Sequence, residues 1–244
     1  VSSVRNQKRR RPKAAANDLL LDRVFHELAR VAEMSTIERR LFETGFRCIA
    51  GTDEVGRGCL AGPVVAACVI LDRADALFRV NDSKLLTHDE RIAICRLVLK
   101  RARAVGIGVV EAEMIDRINI LQASKLAMSI AIENLAIRPD VLLLDAVTID
   151  SLEIPQVPLI EGDRRSLSIA AASVVAKVYR DFLMESYHGR YPVYGLRQNR
   201  GYATEDHQAA LRMYGPSPIH RKSFDGVEEP MMLFGCGKDG EPER

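Results

Sequence analysis

The sequence predicts an α/β domain built on a mixed sheet, and three observations carry that prediction. Two apolar runs, Phe46 to Ala50 and Val64 to Leu71, are separated only by a glycine-rich segment, as in an antiparallel hairpin. Helical and strand-like stretches then alternate down the chain. One later strand, Val141 to Leu144, is wholly apolar, as expected of a strand covered on both faces of a sheet. At 244 residues the chain accommodates one such domain with appendages and a substantial core.

Residues 1–17 form a basic head without acids (Arg5, Lys8, Arg9, Arg10, Arg11, Lys13) and without periodicity, and are expected to be disordered. Residues 18–45 read as a helical extension: Leu21, Phe25, Leu28 and Ala32 recur at helical spacing, and a second short helix follows Ser35 or Thr36 and stops at Gly45. The main body, 46–190, opens with the hairpin. Asn81-Asp82-Ser83-Lys84 is a polar loop. Thr87-His88-Asp89-Glu90 fits a capping box, in which the Thr hydroxyl and the Glu carboxylate each satisfy an orphan N–H, so a helix through Ile92, Cys95 and Leu99 should follow. Val105 to Val110 is a strand, and Ile120 to Leu135 a helix with Leu121, Met128, Ile132 and Leu135 on one face. The apolar strand from Val141 ends at Asp145, and Ser166 to Tyr187 is a long helix rich in Ala and Val on one side. Residues 191–225 are rich in Arg, Gly, Tyr and Pro and hold a helix from about Thr204 to Tyr214, closed by Gly215-Pro216. Residues 226–244 read as a flexible tail.

A net charge of +2 says little about partners, but its distribution says more, because Arg190, Arg197, Arg200, Arg212, Arg221 and Lys222 form a second basic region suited to phosphate contacts. The five cysteines are odd in number and contain no Cys-x-x-Cys, which reads as small buried hydrophobes in a reducing, cytoplasmic compartment rather than zinc ligands. No stretch approaches the ~20 apolar residues of a membrane span, and no apolar h-region follows the basic start, so neither membrane insertion nor export is expected.

The chemistry concentrates in Ile49 to Pro63. There Asp53 and Glu54 sit at the end of an apolar run and are followed by Gly56-Arg57-Gly58. Asp145 ends a second strand, and Asp163 precedes the long helix. Three segments thus bring acids to element ends, where side chains can converge. Hard oxygen donors of this kind suit Mg²⁺ or Mn²⁺, and without a cation their mutual repulsion would raise their pKa values. The bland reading is that each is a turn residue. Adjacent strand residues also point to opposite faces, so Asp53 and Glu54 can share an ion only if the strand ends or bulges, which Gly51 and Gly56 make plausible. A dinucleotide-binding reading of Gly56-x-Gly58-x-x-Ala61 requires a helix directly after the turn, where Gly62-Pro63 and a strand stand instead.

Taken jointly and in order, the motifs resemble those of ribonuclease HII. They are Gly51-Thr52-Asp53-Glu54-Val55-Gly56-Arg57-Gly58, Asn81-Asp82-Ser83-Lys84, Asp116 to Ala123, Leu144-Asp145, Gly162-Asp163, Ser166 to Ser173, Ala176-Lys177-Val178, Arg180-Asp181, Gly201-Tyr202-Ala203-Thr204 and Gly215 to Arg221. The resemblance implies a ribonuclease H-like fold: a mixed five-stranded sheet flanked by helices, with a small helical C-terminal part beside the helical N-terminal extension. It implies that Asp53, Glu54, Asp145 and Asp163 are the catalytic acids and hold two divalent ions, Mg²⁺ or Mn²⁺. It maps Gly56, Arg57 and Gly58 onto a turn that senses the ribose 2′-hydroxyl, Tyr202 onto a tyrosine that helps read it, and Lys84, Ser166 and Lys177 onto phosphate-side or supporting residues. Departures from the pattern include Cys59 where a proline is common, Leu85 where a second lysine often follows, and Ala146 where a glycine is usual.

The implied activity is hydrolysis of RNA within RNA–DNA hybrids and at ribonucleotides embedded in duplex DNA, leaving 5′-phosphate and 3′-hydroxyl ends by two-metal chemistry. The alternative is a non-catalytic hybrid-binding protein. His207 and His220 read as cap or packing residues rather than bases. The apolar knot Pro230-Met231-Met232-Leu233-Phe234 suggests a short motif for a replication partner such as a sliding clamp, the bland reading being a tail that packs on its own domain. The chain is otherwise read as a monomer.

Overall fold

The computed structural model describes residues 13–73 and 86–227, with side chains from residue 21 onward. The polar loop with Lys84 and the apolar knot from Pro230 to Phe234 lie outside the described residues. The sheet has five strands: β1 (Ile49–Val55), β2 (Val64–Ile70), β3 (Ala104–Val110), β4 (Val141–Asp145) and β5 (Gln156–Leu159), in the spatial order β3-β2-β1-β4-β5. The pairs β1–β2 and β2–β3 are antiparallel, and β4 and β5 add in parallel, so the sheet is mixed as expected. Strand β5 has no counterpart in the sequence reading. Pro155 and Pro158 hid it, because proline is tolerated only where no ladder N–H is required, as on this edge strand.

Among the described residues there are eight α-helices: α1 (Lys13–Met34), α2 (Thr36–Glu43), α3 (His88–Arg101), α4 (Ala112–Glu133), α5 (Gly162–Arg165), α6 (Leu167–Arg190), α7 (Leu196–Asn199) and α8 (Glu205–Tyr214). Helix α1 starts inside the segment expected to be disordered; the run Lys13-Ala14-Ala15-Ala16 following Pro12 is a good helix former. The capping box of α3 is present in both halves, with Glu90 N–H donating to Thr87 Oγ1 and Thr87 N–H to Glu90. Helix α4 begins earlier than Ile120 and is broken at Asn119, whose backbone is left-handed (φ 66°) and whose side-chain oxygen re-caps the second half at Gln122 N. Its inner face is Ala123, Ala127, Met128, Ala131 and Ile132, while Leu121, expected there, is 41% exposed.

Burial explains the layering. Alternate residues of β2 (Val64, Ala66, Cys68, Ile70) meet α4 on one face; Val65, Ala67 and Val69 meet α3 and α6 on the other. Val31 and Met34 of α1 join the second core, which docks the N-terminal extension on the domain. Strand β4 is buried along its length up to Asp145, in keeping with its continuous apolarity. The C-terminal part packs separately around Leu60, Met184, Tyr194, Leu196 and Leu211. Cys59, Cys68 and Cys95 are buried and free. No helix among the described residues is long and apolar enough to cross a membrane.

Candidate active site

Strand β1 does not end at Ala50 but carries the acids within it, and its ladder with β2 runs without a bulge through Asp53↔Ala67, Glu54↔Ala66 and Val55↔Val65. The expected irregularity is therefore absent, and Gly51 serves another purpose. A Cβ there would run into the α6 backbone at Ser168 and Ile169, so glycine is what lets α6 lie directly on the strand. Thr52 pairs in register with Leu144, which places Asp53 and Asp145 at the next level of adjacent parallel strands. Both lie on the α6 face: Asp53 accepts a hydrogen bond from Ser173 of α6, and Asp145 continues the alternation of Val141 and Leu143. Alternation directs Glu54 to the other face, but β4 stops at Asp145, so Glu54 has no strand neighbour on that side and still feels the Asp145 charge.

Asp163 arrives on α5. The Gly162 amide donates to Asp145 Oδ1 at 2.8 Å, which holds the start of this short helix, and with it the buried Asp163, against the end of β4. Glu161 and Ala146, flanking the two acids, both have left-handed backbones (φ 52° and 53°), a conformation that strains residues carrying a Cβ.

Burial is the main cause that pushes the Asp53 carboxyl well above the usual carboxylate range, and the charges of Glu54 and Asp145 push it further. Glu54 is also raised by burial, against the opposing pull of Arg57, whose Nη1 lies 3.1 Å from Glu54 Oε1. The other oxygen, Glu54 Oε2, is buried without a hydrogen-bond partner. A divalent cation would relieve both the repulsion and this orphaned atom, and an all-oxygen donor set is what Mg²⁺ or Mn²⁺ requires, so the residues fit such an ion. The four-acid cage is nevertheless not pre-assembled. Among the described residues no three His, Cys, Asp or Glu side chains stand ready to hold a metal. The oxygens are turned to local partners instead: Asp53 Oδ1 to Glu54 N, Asp145 Oδ1 to Gly162 N, and Glu54 Oε1 to Arg57.

The Gly-Arg-Gly turn is fixed by two arginines that the sequence reading gave no such role. Arg221 is wholly buried and donates to the carbonyls of Gly56 (2.6 Å), Arg57 (2.8 Å) and Gly62 (2.9 and 3.0 Å). Burial lowers its pKa to about 10. Arg180, equally buried, bridges the carbonyls of Ala61 (3.1 Å), Pro63 (3.0 Å) and Arg200 (2.9 Å), tying the loop after the turn to the segment that carries Tyr202. Arg221 thus cannot make the phosphate contact expected of the C-terminal basic region, and Arg197 and Arg200 are paired with Glu185. Only their close packing with backbone carbonyls, invisible in a single sequence, reveals the role of these buried cations. Gly56 (φ 95°) permits the approach of Arg180, which any Cβ would block, whereas at Gly58 a Cβ would meet open space.

Tyr202 is 42% exposed, lies beside Cys59, and has Lys177 Nζ 5.9 Å from its ring centroid. Lys177 is anchored on Asp181 at 2.7 Å. Ser166 is not a substrate contact. It is fully buried, caps α6 at Ile169 N, and donates to Glu38 Oε1 of α2 at 2.7 Å, so its role is supporting. The structure therefore brings Asp53, Glu54, Asp145, Asp163, the turn 56–58, Lys177 and Tyr202 to one end of the sheet and places Ser166 beneath them.

Comparison with known proteins agrees with this geometry. The family model of ribonuclease HII matches residues 50–227. The ribonuclease HII of Pediococcus pentosaceus is 52% identical over 194 residues, covering 80% of this chain and 76% of that protein. The ribonuclease HII of Bacillus subtilis is 50% identical over 195 residues, again 80% and 76%. Among solved structures, ribonuclease H2 from Pyrococcus horikoshii superposes with a TM-score of 0.62 at 25% identity, covering 74% of this chain and 95% of that one. The PCNA:RNase HII complex from Archaeoglobus fulgidus, at 24% identity and a TM-score of 0.61 over 76% of this chain and 100% of that one, shares the fold.

Proposed function

The chain belongs to the ribonuclease HII family, and on that premise we propose that it is an endonuclease that hydrolyses RNA paired with DNA, including single ribonucleotides embedded in duplex DNA. The observation that carries the reading is the meeting of Asp53 and Asp145 on one face of adjacent strands, beside a glycine turn whose outer side is open.

Asp53, Glu54, Asp145 and Asp163 would hold the divalent ions. When bound, such ions lower the pKa of a water and stabilise the departing 3′-oxygen of a phosphodiester. The remaining roles fall to the chain itself. Arg221 occupies the carbonyls of Gly56 and Arg57, so what these two residues and Gly58 offer a ligand is chiefly N–H groups, and those of Arg57 and Gly58 have no backbone partner among the described residues. N–H groups held in this way can donate to a 2′-oxygen, the atom that separates RNA from DNA at a given nucleotide. Tyr202 offers a partly exposed ring and a hydroxyl beside that turn, and Lys177 places a cation next to the ring. With an ion held by Glu54 in place of Arg57, the exposed Arg57 guanidinium would be free for backbone phosphate.

The test is cleavage of two duplexes, one with a single ribonucleotide and one with a long RNA run, with Mg²⁺, with Mn²⁺ and with chelator. The parent should cut in the presence of either ion and not with chelator. Asp53→Asn should bind both duplexes and cut neither, and Tyr202→Ala should lose more rate on the single ribonucleotide than on the long run. Binding by the parent without ion-dependent cleavage would favour a non-catalytic hybrid-binding protein.

A further inference from the structure

Beneath Tyr202 lies a buried pair of imidazoles. His207, in the first turn of α8, and His220 are 0% and 2% exposed, and their Nε2 atoms are 3.0 Å apart, so one must donate and the other accept. The outer nitrogens decide which. His220 Nδ1 lies 3.0 Å from the Ser217 amide, which can only donate, so this nitrogen accepts and the ring proton is on Nε2, facing His207. His207 Nδ1 lies 2.8 Å from the Tyr202 carbonyl, which can only accept, so His207 carries its proton there and presents a bare Nε2 to His220. One tautomer of each neutral ring satisfies every contact. The result is a directional chain of hydrogen bonds, from the Ser217 amide through His220 and His207 to the Tyr202 carbonyl. Ser217 Oγ, 2.8 Å from His220 Nδ1, flanks its first link.

The far end of this chain is at the recognition segment. The Tyr202 carbonyl accepts from both His207 and the Thr204 amide (2.8 Å), so its backbone is pinned while its ring remains 42% exposed. Apolar residues could fill the same space, but they could not hold that carbonyl. We propose that His207 and His220, as a neutral pair, are positioning residues that hold Tyr202 beside the Gly56–Gly58 turn.

The proposal rests on the reading of Tyr202 as a recognition residue. The preference of the pair for its neutral form follows from the geometry. An added proton sets two N–H groups against each other, either between the rings or at Ser217, in a buried site where a lost hydrogen bond is costly. The titratable groups facing the pair are the two rings themselves, Tyr202, and Tyr194, whose ring centroid is 4.5 Å from that of His220 and 6.3 Å from that of His207. The guanidinium of Arg221, the next residue, is engaged with the carbonyls of Gly56, Arg57 and Gly62. Burial lowers both imidazole pKa values, that of His220 to about 4, which keeps the pair neutral at pH 7.

Two measurements on the full chain test this. Nitrogen NMR of histidine-labelled protein at neutral pH should show His207 as the Nδ1–H tautomer and His220 as the Nε2–H tautomer. In a double-mutant cycle on the single-ribonucleotide duplex, His220→Ala should lower kcat by about tenfold in the parent but by less than about twofold in the Tyr202→Ala background. His220→Gln still donates to His207, so it should restore the neutral rate. A merely structural loss would act equally in both backgrounds. An additive cycle, or the same tautomer at both rings, overturns the proposal. A Tyr202→Ala variant with the parent rate removes the tyrosine's role and the positioning with it, whatever tautomers NMR finds.

Discussion

Replacing Asp53 with Asn should make the protein more stable in chelator while abolishing cleavage. Asp53 and Asp145 follow the paired Thr52 and Leu144 on neighbouring parallel strands. Their backbones are thus about 4.8 Å apart, the usual strand spacing. Two carboxylate charges about 5 Å apart repel by about 3 kcal/mol at an effective dielectric constant of about 20. Burial of Asp53, the main cost, and the charge of Glu54 add to this, and hydrogen bonds from Ser173 and the Glu54 amide offset part of it. Asparagine keeps an oxygen for the Glu54 amide, so the net gain should be about 2 kcal/mol, or roughly 4–8 °C in melting temperature for a chain of this size. The sign with pH is fixed. The Asp53 pKa is raised in the folded chain, so between its ordinary and raised values the folded state binds the extra proton, and the parent loses stability as pH rises through that window. The asparagine variant lacks this loss, so its advantage should be absent in acid and grow as pH rises through that window. Adding Mg²⁺ at about a hundredfold excess over its Kd should stabilise the parent by about 2.7 kcal/mol and the variant much less, which closes or reverses the order. Thermal melts with chelator and with Mg²⁺, in acid and at neutral pH, read all of this. A variant that melts below the parent in chelator at neutral pH, or whose advantage grows in acid, would refute the repulsion argument.

Two further substitutions probe the frame around the acids. Gly51→Ala sets a methyl group against the α6 backbone at Ser168 and Ile169, so α6 must shift, and the variant should lose about 2–4 kcal/mol in chemical denaturation; a midpoint equal to the parent's would contradict the close approach. Ala146→Gly relieves a left-handed backbone (φ 53°) directly after Asp145 and should gain about 1 kcal/mol; a loss of stability would mean that the position is unstrained.

The sequence made the sheet legible where pattern and burial agree. The antiparallel pairing of the hairpin, the wholly apolar β4 and the capping box of α3 each depend on residues close in sequence and stand as read, although β1 runs over Ile49–Val55 rather than Phe46 to Ala50. The exceptions have physical causes. β5 is an edge strand interrupted by Pro158, so its propensity points away from its structure. The break in α4 depends on Asn119 adopting a left-handed backbone, which asparagine permits but does not announce. At the site, the acids could be named but not their relation, because alternation seemed to separate Asp53 from Glu54. The ladder is regular, and it is the earlier end of β4 that lets Glu54 reach the same charge. The roles of Ser166 and Arg221 depend on contacts with Glu38 and with Gly56, more than a hundred residues away in the chain. In sequence a serine before a helix and an arginine in a basic region look like phosphate ligands. Burial decides otherwise, since a side chain with no exposed surface cannot reach a substrate.

One helix links the chemistry to the recognition. Ser173, Lys177 and Arg180 are spaced four and three residues apart, so they lie on one face of α6. Ser173 supports Asp53, Lys177 stands by Tyr202, and Arg180 bridges the loop after the glycine turn to the tyrosine segment. The distance from Asp53 to the Tyr202 segment is therefore set by about two turns of a helix, roughly 10 Å of rise, rather than by flexible connections. The same helix packs directly on β1 at Gly51 and is capped by Ser166, which is itself held by Glu38 of the N-terminal extension. A shift of α6 would move Ser173, Lys177 and Arg180 together. On the proposed function, recognition of the ribose and support of the acids would for that reason be one mechanical unit, which the extension braces at the end nearest Asp163.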